Sequence, residues 1–600
     1  MEMELFNLPA LTSPDKTSFS LKERHVSSWC NDLPLGHPQE TQQLVLTALR
    51  QSNQQRWPWN DRLAFLEKVR EPINIPLVAL ENSLKSVEFP IGERHAKMAQ
   101  DLRSLCSEIC TAYRLTLHDY QQRHAFFRRK KVTALIASRA IRYASLINLN
   151  SHQLYGTPPN GHWRIVHNLY SYAEALDVHN IPIEDNIRSS MRDTTITQIY
   201  KQILLIATAS TSRLAQKEII VLFSILKDMG QLLDLTPCQD NLVDNASFLV
   251  DREQDKGPAY LELQNSSFNP GTTLLMDTRR LIAYLQYSAT RQESILCDIS
   301  DLNTLSADLY QRLEISWKKL PNRGRRMSSD VSNPEYVEII SGLTNIHKQT
   351  LQLTGDKLMS TGKSAQFKAA AVSPDDPEAR IVDFWDQSSS ETMRYMIDKN
   401  DFSGVDRKQN SDIFTHSFEI AEENKLGGKE DEVINSSQWQ ILDESAGGFR
   451  IVSSAASEST INVGELVKVR KNGQESYELI GVIRWINCHG KGSVEAGVRV
   501  ITPEVTPIVL KRIDKQGKGG QPRRSLILNY HHQNQQVETL LAPITIFNSG
   551  DQALVSHHSG QEYIELGEKL NRGSGENFSL FRFSRKEIKQ GNFRRKQEDK

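Results

Sequence analysis

Apolar residues recur at three- and four-residue steps through residue 235. Val45, Leu46 and Leu49 are followed by Leu63, Leu66 and Val69, then by Leu102, Leu105, Ile109 and Tyr113. The same spacing returns at Ile196, Ile199, Ile203 and Ile206, and at Ile220, Phe223 and Leu226. Stripes of this period are the mark of amphipathic helices. Pro76, Pro90, Pro158 and Pro182 fall where helices are expected to end. Residues 1–235 therefore read as an all-α helical domain. No fixed repeat period emerges, so a bundle and a solenoid both remain open.

The pattern changes after that. Residues 236–314 read as a mixed strand and helix connector. Short strands are expected at Ala246–Val250 and Ala259–Leu263, around Lys256-Gly257-Pro258, and helices at Leu274–Leu285 and Leu302–Trp317. Residues 346–435 are rich in Ser, Asp, Lys, Gln and Glu and poor in large apolar clusters, the composition of a disordered insertion. From Ser437 the chain turns to β. Strands are expected at 437–442, 448–453, 465–470, 478–488 and 494–501. The Gly/Lys-rich stretch Asp514–Pro522 separates them from a second run near 524–529, 537–547, 551–556, 561–566 and 578–583. Short strands divided by turn residues predict small barrels. The fold class is multidomain α+β: the helical domain, then two small antiparallel β-barrels. The first is assigned to 315–345 plus 436–510 and the second to 520–585. Residues 586–600 read as a disordered tail.

The chain has 600 residues with 72 basic and 73 acidic side chains. That balance gives no global field toward nucleic acid or an anionic membrane. The six cysteines are scattered, which fits a reducing compartment better than a disulfide framework. Met1-Glu2-Met3-Glu4 is acidic where a signal peptide would be basic, and the apolar runs are too short to span a bilayer. The expectation is a cytoplasmic protein with no membrane insertion.

Most familiar catalytic patterns are absent or broken. Thr361-Gly362-Lys363-Ser364 looks like the end of a phosphate-binding loop. Lys357 stands where its upstream glycine is required, and Gly355 is two residues too early. Cys106 and Cys110 share a helix face near His95 and His118, but read as buried structural thiols. His531-His532 and His557-His558 are adjacent, and adjacent strand residues point to opposite faces. Trp57, Trp59 and Trp163 read as packing anchors. No catalytic residue, metal site or cofactor is expected, and the chain is read as a non-enzyme.

Two patches carry binding chemistry. The first is the basic run Lys318-Lys319-Leu-Pro-Asn-Arg323-Gly-Arg325-Arg326, just before a strand-like Tyr336–Gly342. Guanidinium forks grip phosphates bidentately and stack on bases. The second is Asp443-Glu-Ser445-Ala-Gly447-Gly448, a turn between strands. Its two short polar side chains are two residues apart and so face one side of an extended segment. A carboxylate there can accept from the N–H edge of guanine, and the glycines permit close approach. Arg523 and Arg524 offer an alternative guanidinium source.

The second patch resembles the D/N-x-S-x-x-G motif of PilZ domains, met by Asp443, Ser445 and Gly448. The strands Ile480-Gly-Val-Ile-Arg-Trp485 and Ala496-Gly-Val-Arg-Val-Ile501 are also similar to that family. The resemblance implies a small β-barrel that binds cyclic di-GMP. It also implies an R-x-x-x-R arm, for which Arg323, Arg325 and Arg326 are the counterpart. Their spacing departs from the family: Lys319 and Arg323 are four apart, but no two of the arginines are. The implied function is a bacterial cyclic di-GMP effector acting on an unidentified protein partner through its helical region. The alternative is a ligand-independent scaffold with a degenerate barrel. RNA binding, using the barrels and Arg594-Arg595-Lys596, is a weaker third, because the β-region lacks a repeated aromatic stripe.

Overall fold

The computed structural model describes residues 8–14, 19–123, 129–185, 187, 194–238, 248–261, 269, 271–291, 307–318, 335–359, 436–445, 447–453, 460–471, 477–489, 492–502, 504–513, 520–532, 535–544, 546–557, 560–570 and 578–586. They fall into two compact units. One holds residues 1–322 with 486–492; the other holds 323–485 and 493–600.

Among the described residues the first unit opens with the helices α1 (Glu23–Asn31), α2 (Pro38–Asn53), α3 (Trp59–Ser83), α4 (Glu93–Arg123), α5 (Lys130–Gln153), α6 (His162–Ala175), α7 (Ile196–Thr208) and α8 (Gln216–Met229). The stripes read from the sequence face inward. Leu102, Leu105, Ile109 and Tyr113 on α4 are buried, as are Ile196, Ile199, Ile203 and Ile206 on α7. Helix α5 packs against α4, α6, α7 and α8. It is buried nearly all round, and its small residues Ala134, Ala137, Ala140 and Ala144 let the neighbours approach. Pro76 does not end a helix: with Pro72 it lies inside α3. Both rings are buried, so packing outweighs the backbone hydrogen bond that each proline forfeits.

Residues 234–317 complete this unit. Strands β1 (Asp234–Pro237), β2 (Phe248–Asp251), β3 (Ala259–Tyr260) and β4 (Thr273–Asp277) form one sheet in the order β1-β4-β2-β3. The expected helix at 274–285 is thus a strand first, and helix α9 (Arg279–Arg291) starts after it. Leu274, Leu275 and Met276 are consecutive and all buried, a run too short for periodicity to separate strand from helix. Helix α10 (Ala307–Trp317) is anchored among the earlier helices. The fully buried Trp317 donates its indole N–H to Thr208 Oγ1 at 3.1 Å. Arg312 pairs with the buried Glu218. The loop after β2 docks on α6: Asp255 accepts from the backbone N–H of Gly161 and Arg164, and His167 Nε2–H donates to the Lys256 carbonyl at 2.9 Å. His167 Nδ1 then accepts from the Tyr200 hydroxyl at 2.9 Å, and burial pushes this ring down to about 4, keeping it neutral.

The second unit holds β5 (Tyr336–Ser341), α11 (Leu343–Met359), β6 (Ser437–Ser445), β7 (Gly448–Ser453), β8 (Leu466–Lys471), β9 (Tyr477–Cys488), β10 (Val494–Thr502), β11 (Glu504–Ile513), β12 (Arg523–His532), β13 (Gln535–Pro543), β14 (Gln552–His557), β15 (Gly560–Lys569) and β16 (Phe578–Lys586). They close into two antiparallel barrels. Around the first the order is β5-β6-β7-β10-β9-β8; around the second it is β11-β12-β13-β16-β15-β14. Adding six to each number in the first order gives the second, so the barrels share one connectivity. β5 pairs with β6, Ile339 opposite Ser437, although residues 342–436 lie between them. The expected insertion 346–435 opens with helix: α11 runs to Met359, and 360–435 lies outside the described residues. Strand β11 was not read from the sequence and belongs to the second barrel, which therefore starts at 504 and not 520. Pro507, opposite Leu526 in the ladder, breaks the strand signature there.

Each barrel has an apolar interior, and a further cluster joins the two. Ile340, Ile346, Leu466, Ile480 and Val482 pack on Leu526, Leu528, Leu541 and Phe578. That is why β12 reads Leu526-Ile527-Leu528 without alternation: Ile527 fills its own barrel while its neighbours cover the other. Helix α11 packs on β5 and β8 of the first barrel and on β11 and β12 of the second. His347, buried, donates Nε2–H to the Ile508 carbonyl at 3.0 Å.

Candidate ligand-binding face

The hairpin β6–β7 brings Asp443, Ser445 and Gly448 together. Ser445 is opposite Gly448 and Asp443 is opposite Arg450, with a bulge between Ile441 and Asp443. The bulge resets the alternation so that Asp443 and Ser445 reach the hairpin end in phase.

The three residues do different things. Gly448 is required by packing: a Cβ there would sit 2.1 Å from the Val498 carbonyl oxygen on β10. The close approach this glycine permits is thus to a neighbouring strand. Gly447 faces open space, with nothing within 4 Å of a notional Cβ. The Ser445 hydroxyl, exposed, donates to the Gly448 carbonyl at 3.3 Å and so closes its own turn. Asp443 is half-buried, and among the described residues no hydrogen bond or ion pair fixes its carboxylate.

Arg450, which the sequence reading passed over, stands between acids. It pairs with Glu495 on β10 through Nε. The Glu495 hydrogen bond and charge, with the charge of Asp443, hold its guanidinium above the ordinary arginine value against the effect of burial. On its other side Arg450 is opposite Gly497. A Cβ at Gly497 would come within 2.0 Å of Trp485 Nε1, so the indole lies directly on that glycine backbone. Asp443, Arg450 and Gly497 thus form one row across three strands, with Trp485 of β9 laid over its end. The signal in the sequence was a glycine inside a strand pattern, which marks a close approach.

Beyond the hairpin, Tyr477 stacks with Phe449 at 6.1 Å, and its hydroxyl donates to Glu444 at 3.2 Å. Lys471 reaches Glu335 at 2.8 Å. Lys468, fully buried, pairs with Glu478 at 2.8 Å.

The basic arm Arg323, Arg325 and Arg326 lies outside the described residues, as do Thr361–Ser364 and Arg594–Lys596. Arg523 and Arg524 are on β12 of the second barrel, opposite Leu510 and Val509. Cys106 and Cys110 are buried in α4, and burial pushes the Cys110 thiol up to about 11. Trp163 is buried and stacks on His167 at 5.5 Å; Trp59 meets Tyr120 edge-on at 4.9 Å. Among the described residues no cluster of His, Cys, Asp or Glu could hold a metal ion, and no helix is long and apolar enough to cross a membrane.

Two family models match: the N-terminal domain of the cyclic-di-GMP receptor FimW over residues 24–240, and the middle PilZ domain of the same receptor over residues 247–507. The cyclic-di-GMP receptor FimW of Pseudomonas aeruginosa is 22% identical, aligned over 96% of this chain and 92% of its own length. No solved structure matches.

Proposed function

This chain belongs to the PilZ-domain family of cyclic di-GMP receptors, and on that premise we propose that it is a bacterial cyclic di-GMP-binding effector. The first barrel binds the dinucleotide and the helical region presents a surface to a protein partner. The reading assigns it no catalysis and a cytoplasmic setting.

The observation that carries it is Asp443. A half-buried carboxylate, with no hydrogen bond or ion pair to the described residues, stands near the hairpin end opposite Arg450, in a row whose far end, Gly497, is covered by Trp485. An ionised acceptor held on a strand suits the donor edge of guanine. Arg323, Arg325 and Arg326 are assigned to the phosphates, Asp443 and Ser445 to guanine, and Gly448 to the turn that aligns them. Helix α10, anchored through Trp317, ends just ahead of the arginine arm. On this reading the arm passes ligand binding along the chain to that helix.

One observation favours the ligand-independent scaffold: Ser445 spends its hydroxyl on the Gly448 carbonyl, as a purely structural turn residue would. Calorimetric titration with cyclic di-GMP separates the readings. The expected result is saturable heat for the wild-type chain, lost when Arg323, Arg325 and Arg326 are all changed to Ala. A folded wild-type chain that gives no heat, and captures the same partners with and without the dinucleotide, would select the scaffold.

A further inference from the structure

The helical unit holds a concentration of arginines of its own. Arg70 on α3 and Arg139 and Arg142 on α5 are each more than nine-tenths buried. All three line a single cavity of about 20 Å³, closed on another side by Asn74 and by Asp185. One buried water needs roughly 10–15 Å³, so the space exceeds that of a lone solvent molecule.

The two nearby acids are already engaged. Asp185 takes Arg70 Nη2 at 2.6 Å, Arg139 Nη1 at 3.2 Å and the backbone N–H of Ile187 at 3.1 Å. Glu67 takes Arg70 Nη1 at 3.0 Å and the Tyr113 hydroxyl at 2.7 Å. Arg139 Nη2 donates to the Glu184 carbonyl at 3.0 Å. Each terminal guanidinium nitrogen carries two N–H groups. These contacts engage all four terminal nitrogens of Arg70 and Arg139, and both side chains line the cavity together with Arg142.

We propose that this cavity is a binding site for a small free oxoanion of the phosphate or sulfate class, held by Arg70, Arg139 and Arg142. Guanidinium forks match oxoanion geometry, and burial strengthens the attraction. The bound anion ties α3, α5 and the segment at Asp185 into one body, independently of any ligand on the barrels.

The test is equilibrium dialysis of the full chain with labelled inorganic phosphate, at ionic strength held constant with chloride. The expected result is one phosphate per chain, displaced by sulfate and indifferent to cyclic di-GMP. Arg142→Gln should weaken retention at least tenfold, with Arg142→Lys recovering part of it. Asn74→Leu, which fills the cavity without removing a charge, should also lose phosphate, and stands in if Arg142→Gln does not fold by circular dichroism. No phosphate above the chloride background would mean a water-filled cavity and overturn the proposal. So would unchanged retention in folded Arg142→Gln or Asn74→Leu, or displacement by cyclic di-GMP.

Discussion

In the first barrel the hairpin β6–β7 carries Asp443, Ser445, Gly448 and Arg450. In the second, the hairpin β12–β13 holds the same place in the strand order. Its pairs His532–Gln535 and Tyr530–Val537 match Ser445–Gly448 and Asp443–Arg450. The four positions are therefore Tyr530, His532, Gln535 and Val537: no carboxylate, no glycine, no guanidinium. One connectivity is built twice, and the carboxylate, the glycine and the guanidinium stand on one copy only. A barrel needs only alternating apolar positions inside and turns between strands. The side chains at its rim are free to differ without loss of fold.

Three sets of substitutions probe that contrast, beginning with the largest effect. Gly448→Ala should destabilise the second unit by about 3 kcal/mol, since the added Cβ meets a backbone carbonyl that cannot step aside. Gly447→Ala, one residue away in open space, should cost less than about 0.5 kcal/mol. Urea denaturation of the two variants measures the difference, and equal midpoints would show that the close approach to Val498 is not obligatory.

Next in size is the helix that packs on both barrels. Burial, with the charge of Arg524, pushes His347 down to about 4. The unfolded imidazole titrates near 6.5, so below that pH the unfolded chain binds the extra proton. Stability from this group is complete above pH 6.5 and is lost as pH falls toward 4, by about 2–3 kcal/mol at most. His347→Gln keeps a donor for the Ile508 carbonyl and removes the titration. Thermal melts of the second unit from pH 7 to 4.5 should fall less steeply for this variant than for wild type; parallel slopes would remove His347 from the account.

The smallest effects concern binding and fall on one barrel only. Asp443→Ala should weaken cyclic di-GMP binding by about 1.5–3 kcal/mol, roughly tenfold to hundredfold, with little change in melting temperature. Ser445→Ala should cost about 1 kcal/mol. Tyr530→Ala, at the matching position of the second barrel, should leave affinity unchanged. An Asp443→Ala chain that melts many degrees lower yet binds like wild type would return the residue to the turn.

The sequence by itself determined the helical stripes, the change to β at Ser437, the two barrels and the hairpin that Asp443, Ser445 and Gly448 share. Each is local: a period of 3.6 or 2 with turn residues at fixed offsets. Tertiary structure decided what depends on partners far along the chain. Pro76 continues α3 because its ring is buried, and Leu274–Asp277 is a strand because β1 and β2 flank it. Pro507 sits within β11 because that strand pairs with β12 and β14. Arg450 gained its place only when β7 met Glu495 and Gly497 of β10. The arginine cavity of the helical unit left no mark in the sequence at all. Its residues are separated along the chain, and only the packing of α3 on α4 and α5 on α4 brings their guanidinium groups to one hole.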